Sequence, residues 1–327
     1  MAGFFGLFNY TKPGPGIAKK KEMENYSYGN MFVQIGRKFS KLMGLNLLYL
    51  SMNFPLFFGA IALSGRFNIP YQTPATTGYQ TISGLSHYVF DPAAVVMEGL
   101  HGHMTTSSYP GTTSTVLYYL TLLVLLTFGV STAALTLVNR NLAKGEYSEL
   151  AHDFFGAIKK NFRQAFFVGI LDLGLLFVIA YAVMFYYYNF VAGTSIITSF
   201  MFFVALFIAF IYIFMRYYIY LMLVTFNLKT FKLFKNAWLF ATLGFKRNMA
   251  ATFFIVFTIL LNIVLFVYLM PVGALLPFII TLSLLSFIAT YSAYPVIKRL
   301  MIDPYYADHP EEKKLEIDVE PLFEDKG

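Results

Sequence analysis

Apolar residues in this chain run in blocks of about twenty, the length that crosses the hydrocarbon core of a bilayer, instead of recurring at helix or strand period. The blocks fall near residues 42–63, 116–138, 165–188, 199–225, 250–269 and 272–295. Each predicts a transmembrane helix, so the expected fold class is an all-α integral membrane protein with about six transmembrane helices arranged as three hairpins. Met270 and Pro271 alone separate the fifth block from the sixth, which predicts a tight turn at one surface, and Pro277 and Pro295 should bend or end the last helix. Between the first two blocks, Gly65–Ser114 is rich in Thr, Ser, Gly, Tyr and Pro and carries no strong helix or strand period.

Charge gives the blocks a direction. Lys12, Lys19, Lys20, Lys21, Arg37, Lys38 and Lys41 precede the first block, and Arg140, Lys144, Lys159, Lys160 and Arg163 lie between the second and third. Lys229, Lys232, Lys235, Lys246 and Arg247 separate the fourth from the fifth, and Lys298, Arg299, Lys313, Lys314 and Lys326 follow the last. All four clusters fall on one side, which the positive-inside rule assigns to the cytoplasm, with both termini. The expected organisation is a cytoplasmic N-terminal arm over 1–41, a transmembrane domain over 42–298 with an external loop at 65–114, and an acidic cytoplasmic tail over 299–327. The apolar piece Phe4–Phe8 is too short for a signal peptide, and Lys12-Pro13-Gly14-Pro15-Gly16 breaks any helix there, so the arm is expected to be retained.

Composition agrees: 57% of residues are hydrophobic and 13% charged, against about 25% charged in soluble domains. The net charge of +7 therefore reads as membrane topology and not as nucleic-acid binding. There is no cysteine, which removes disulfides, thiolate metal sites and cysteine nucleophiles.

Two basic stretches have aromatic residues at helical spacing. Phe154, Phe155 and Ile158 accompany Lys159, Lys160 and Arg163, and Phe231, Phe234 and Trp238 accompany Lys232 and Lys235. Both predict amphipathic helices that lie on the inner leaflet or dock a cytoplasmic partner. Asn161 precedes Phe166-Phe167-Val168 as Asn248 precedes Phe253-Phe254-Ile255, a hint of a repeated hairpin; the competing account is that each inward helix start needs phosphate-binding cations and aromatic anchors.

Charges within the spans are the strongest candidates for function, because an ionised group in hydrocarbon costs several kcal/mol unless it meets a partner or a watered path. Asp172 in the third block and Arg216 in the fourth are expected to form an interhelical ion pair; a proton or substrate relay is the alternative. In the external loop, Tyr71, Tyr79, Tyr88, Phe90 and Tyr109 are candidates for stacking on sugar rings, against local packing or a place at the lipid interface. His87, Asp91, Glu98, His101 and His103 lack the one-turn histidine spacing of a zinc helix, so no metal site is expected. Phosphate loops, nucleophile elbows and metalloprotease helices are missing, so neither enzyme activity nor a cofactor is expected. The tail from Asp303 carries nine of the 17 acidic residues and is expected to be solvated.

Gly3-Phe4-Phe5-Gly6-Leu7-Phe8-Asn9-Tyr10, Lys12-Pro13-Gly14-Pro15-Gly16, Arg37-Lys38-Phe39 and Leu45-Asn46-Leu47-Leu48-Tyr49 resemble the opening of the YesL family, multi-pass membrane proteins of Gram-positive bacteria. The likeness continues at Ala133-Ala134-Leu135 through Gly145-Glu146, at Phe154-Phe155 with Lys160-Asn161-Phe162, and at Arg216-Tyr217-Tyr218 through Lys235-Asn236-Ala237. The resemblance implies a plasma-membrane protein of unknown function commonly encoded beside oligosaccharide ABC importers. It leads to the expectation of a non-enzymatic accessory subunit contacting ABC permease subunits, with an oligosaccharide near the external loop. An autonomous small-solute transporter or channel, and an intramembrane enzyme or sensor, are the alternatives. The chain lacks the Glu-Ala-Ala loop by which an importer's own permease docks its ATPase.

Overall fold

A computed structural model describes residues 26–74, 92, 93, 96, 104–193 and 195–308. In chain order its elements are α1 (Tyr28–Arg37), α2 (Phe39–Met52), α3 (Pro55–Leu63), β1 (Asn68–Pro74), β2 (Met104–Pro110), α4 (Thr112–Thr121), α5 (Val124–Lys144), α6 (Leu150–Val191) and α7 (Ile196–Thr225). There follow α8 (Thr230–Leu243), α9 (Phe245–Tyr268), α10 (Met270–Leu276), a π-helical turn at Pro277–Thr281, α11 (Leu282–Ile297), a second π turn at Lys298–Ile302 and α12 (Asp303–Asp308). Five helical runs are long and apolar enough to cross a membrane, with a sixth if α2 and α3 count as one broken span. The architecture is that of an all-α multi-pass membrane protein.

The described residues between 53 and 126 form one compact unit. In it α3 and α4 flank an antiparallel ribbon in which Asn68 pairs with Pro110 and Pro74 with Met104. The buried Ser114 hydroxyl donates to Asn68 Oδ1 at 3.0 Å, tying α4 to the start of β1. The ribbon gives order to a segment in which the sequence shows no strong helix or strand period. Backbone pairing between two segments separated by residues 75–103 supplies the order, and neither strand sustains an alternation in hydropathy, so no period-2 signal marked it.

The described residues on either side, 26–52 and 127–308, form the other unit. The elements depart from the sequence expectation in several places. The first block is interrupted after Met52, and Pro55 begins a new helix, where its missing N–H leaves no hydrogen bond unmade. The amphipathic stretch 150–164 is not a separate surface helix: it is continuous with the third span in a 42-residue α6, about 63 Å long at 1.5 Å per residue if straight. Nothing between Phe154 and Phe167 breaks the helical backbone, while Phe154 and Ala157 are buried and hold this end in the bundle. The arm also folds in part. Ser27 Oγ accepts from Asn30 N–H to cap α1, Met31 and Gln34 are buried, and Tyr291 Oη donates to Ser27 O at 3.1 Å.

α5 and α6 cross in backbone contact. A Cβ built on Gly129 would lie 2.4 Å from Gly169 Cα, and one on Gly169 would lie 2.3 Å from Gly129 Cα. Ala133 and Ala165, each four residues away, are buried beside this crossing, the small-residue spacing that lets helices approach closely in a membrane. Gly169→Ala is therefore expected to force the pair apart and cost about 1–3 kcal/mol, read as a lower midpoint in detergent thermal unfolding. Gly174→Ala, with nothing within 4 Å of its Cβ position, is the control and should leave the midpoint nearly unchanged.

The hairpin at Met270–Pro271 forms as expected: α9 ends at Tyr268, and the chain resumes helix at Met270. Pro277 opens the π-helical turn. The side chain of buried Asn46 on α2 enters this gap: its Nδ2 donates to the carbonyls of Pro277 (3.0 Å) and Phe278 (2.7 Å), and its Oδ1 accepts from Ser283 N–H at 3.0 Å. One amide thus substitutes for helical bonds that the disturbed ladder does not make.

Candidate functional site

Asp172 is the only acidic side chain fully buried among the described residues, and α7 brings three donors to it from a single stripe. Tyr212, Arg216 and Tyr220 are four residues apart, so they stand one above another on the helix face turned to α6. Tyr212 Oη donates to Asp172 Oδ1 at 2.8 Å and Tyr220 Oη to Oδ2 at 2.8 Å. Arg216 Nε lies 2.9 Å from Oδ1 and 3.2 Å from Oδ2, and Nη2 donates to Oδ2 at 3.1 Å. Both carboxylate oxygens are thereby engaged. The Arg216 side chain keeps 30% exposure, so the aspartate is sealed while the guanidinium reaches the edge of the packing.

This arrangement is suited to holding charge in place. A carboxylate in a low-dielectric interior is expensive unless every lone pair meets a donor, and three side chains from one helix meet that demand without recruiting a third helix. The structure brings together Asp172 and Arg216 as the sequence led us to expect, and adds Tyr212 and Tyr220. Their i±4 spacing around Arg216 is visible in the sequence, but it is hidden among 24 tyrosines and 37 phenylalanines.

The other candidates fall elsewhere. Tyr71 and Tyr109, diagonal neighbours on the ribbon, have ring centroids 5.7 Å apart and are both exposed. Tyr79, Tyr88 and Phe90 lie outside the described residues, as do His87, Asp91, Glu98, His101 and His103. Lys159, Lys160 and Arg163 are exposed on the first half of α6. Lys232, Lys235 and Trp238 are exposed on α8, whose opposite face buries Leu233, Ala237 and Phe240. Asn161 and Asn248 play different parts, which separates the two stretches that looked alike. Asn161 bonds the carbonyl of Ala157 inside continuous α6, whereas Asn248 accepts from Tyr218 Oη at 2.7 Å and donates to Ala241 O at 2.9 Å across the α8–α9 corner.

Several cations of the clusters that set the topology bond backbone carbonyls. Lys38 Nζ donates to Leu142 O at 2.6 Å in the last turn of α5, and Lys41 Nζ to Ser148 O at 2.9 Å in the loop between α5 and α6. Arg140 Nη1 donates to Val224 O at 3.0 Å at the end of α7. Lys38 and Arg140 thereby satisfy orphan carbonyls and complement the negative poles of α5 and α7.

Burial, reinforced by Lys41 and opposed by Glu146, lowers the Lys38 ammonium to about 8 from its usual 10.5. A lysine with a depressed folded pKa adds stability as pH rises from about 8 towards 10.5, and that gain is lost as pH falls back through 8. The thermal midpoint of the wild type should therefore rise between about pH 7.5 and 9.5 relative to Lys38→Met, and equal pH dependence in the two proteins would reject the assignment.

Residues 42–183 match the model of a family described as "Protein of unknown function, DUF624". The match includes Asn46, the Gly129–Gly169 crossing and Asp172, and it ends before α7 with its three donors. No curated protein matches the chain, and no solved structure matches it.

Proposed function

We propose that this chain is a non-enzymatic accessory subunit of the plasma membrane that works beside a carbohydrate ABC importer, as its resemblance to the YesL family suggests. The observation that carries the reading is the saturation of Asp172 by Arg216, Tyr212 and Tyr220, since a carboxylate engaged at both oxygens serves as a clamp between α6 and α7. Proton or substrate passage through it would require breaking the pair that holds the helices. Beyond the clamp, α6 buries no residue from Leu173 to Val191, and Phe177, Val178, Tyr181, Met184 and Tyr188 are exposed there. That half-hairpin offers intramembrane surface to lipid and to permease helices. The exposed Tyr71–Tyr109 pair offers a face for an oligosaccharide.

The test is a mild-detergent purification of tagged full-length protein from cells grown on oligosaccharides, with co-purifying membrane proteins identified by mass spectrometry. Stoichiometric recovery of an ABC permease pair is the expected outcome; recovery of the protein alone would reject the accessory role. The 30% exposure of Arg216 favours one second reading, an autonomous transporter with this guanidinium on the solute path. Solute flux into liposomes containing this protein alone, lost in Arg216→Gln, would select that reading.

A further inference from the structure

A cavity of about 640 Å³ opens at the α8–α9 corner, lined by Leu243, Gly244, Phe245, Lys246, Arg247, Pro295, Val296 and Arg299. Three of these residues are cationic and none is acidic. Lys246, Arg247 and Arg299 join no ion pair among the described residues. Arg247 is held from behind: Nη2 donates to Tyr26 O at 2.7 Å, and the guanidinium carbon lies 6.0 Å from the Tyr28 ring centroid. Its Nη1 is buried with no hydrogen-bond partner among the described residues, an N–H donor left over in a protein that otherwise satisfies most of them.

The electrostatics are unbalanced in a second respect. Lys246 and Arg247 occupy the first turn of the 24-residue α9, which contains no acidic residue, so two cations sit against the positive pole of their own helix. An anion in the cavity would relieve both the helix pole and the three side chains. The remaining wall is apolar, formed by Leu243, Phe245, Pro295 and Val296, and α9 runs from it into an apolar span. Cations beside an apolar wall at the mouth of a membrane helix match an amphiphile with a phosphate head.

We propose that this cavity binds a phosphate group, carried by an anionic phospholipid of the surrounding leaflet. Lys246 and Arg299 are exposed and supply adaptable charge, while Arg247 supplies a fixed guanidinium. The proposal does not depend on an importer partner.

The test is native mass spectrometry of the purified full-length protein titrated with phosphatidylglycerol or phosphatidylcholine. One phosphatidylglycerol should bind in preference to phosphatidylcholine, and Lys246→Gln/Arg299→Gln should weaken it about tenfold. Lys232→Gln/Lys235→Gln, which removes two exposed cations of α8, should leave it unchanged. Equal weakening in both variants, or none in the first, overturns the proposal, because attraction would then be a general surface effect. Displacement of the lipid by millimolar inorganic phosphate, with no preference for phosphatidylglycerol, would assign the cavity to soluble phosphate and overturn the lipid source. Binding that emerges only after residues 309–327 are removed would assign it to the acidic tail and overturn it as well.

Discussion

Asp172→Asn is expected to lower stability by about 3–5 kcal/mol, because it leaves the Arg216 guanidinium without its counter-charge at the packed α6–α7 contact. Arg216→Gln should cost a comparable amount, since a carboxylate at 0% exposure then keeps only two tyrosine hydroxyls. The double variant Asp172→Asn/Arg216→Gln should be more stable than either single variant: no charge remains, and the asparagine oxygen can accept from one tyrosine hydroxyl while its NH2 donates to the oxygen of the other. Thermal or denaturant unfolding in detergent measures all three. A double variant that loses the sum of the two single effects would show that the residues do not act as a pair.

The same proteins separate clamp from relay. A double variant that folds and recovers the same membrane proteins, if any, as the wild type supports a structural clamp. One that folds with normal stability but abolishes solute flux in liposomes points to charge movement along Arg216.

How much of this was legible in the sequence depends on the range of the interaction. The spans were, because lipid requires about twenty apolar residues in succession and nothing else in the chain imitates that length. Asp172 and Arg216 were legible for the complementary reason, as rare charges inside such blocks. The interruption at Asn53–Phe54 was available from Pro55, which fits the first position of a new helix better than the interior of an old one. Gly129 with Ala133, and Ala165 with Gly169, carried a readable small-residue spacing.

The parts that were not legible are fixed by distant backbone. Lys38, Lys41 and Arg140 are ordinary interfacial cations in sequence; only the folded chain presents them with the carbonyls of Leu142, Ser148 and Val224. The β1–β2 ribbon likewise arises from pairing across a long intervening segment, with no sustained hydrophobic alternation to announce it. Tyr212 and Tyr220 lie between these cases, since their spacing is local but their role depends on where Asp172 stands.

Asn46 is the extreme case and carries the second large expected effect. It sits inside an apolar block as Leu45-Asn46-Leu47, where an uncharged polar residue attracts little notice. Its partners are more than 230 positions away, in the π-helical turn that Pro277 opens. Asn46→Leu conserves approximate volume but removes two donors and one acceptor, leaving the carbonyls of Pro277 and Phe278 and the N–H of Ser283 without this partner in a buried site. At about 1–3 kcal/mol for each buried group left unsatisfied, and with partial relaxation towards regular helix, the expected loss is about 3–4 kcal/mol. Asn46→Asp should also destabilise, because a carboxylate cannot donate to two carbonyls and would be buried without a counter-charge. Relief is expected from Asn46→Leu combined with Pro277→Ala, which restores a backbone N–H to the last helix and lets the ladder close on itself. Unfolding midpoints that place this double variant no higher than Asn46→Leu would show that Asn46 serves helix packing and not the break in the ladder.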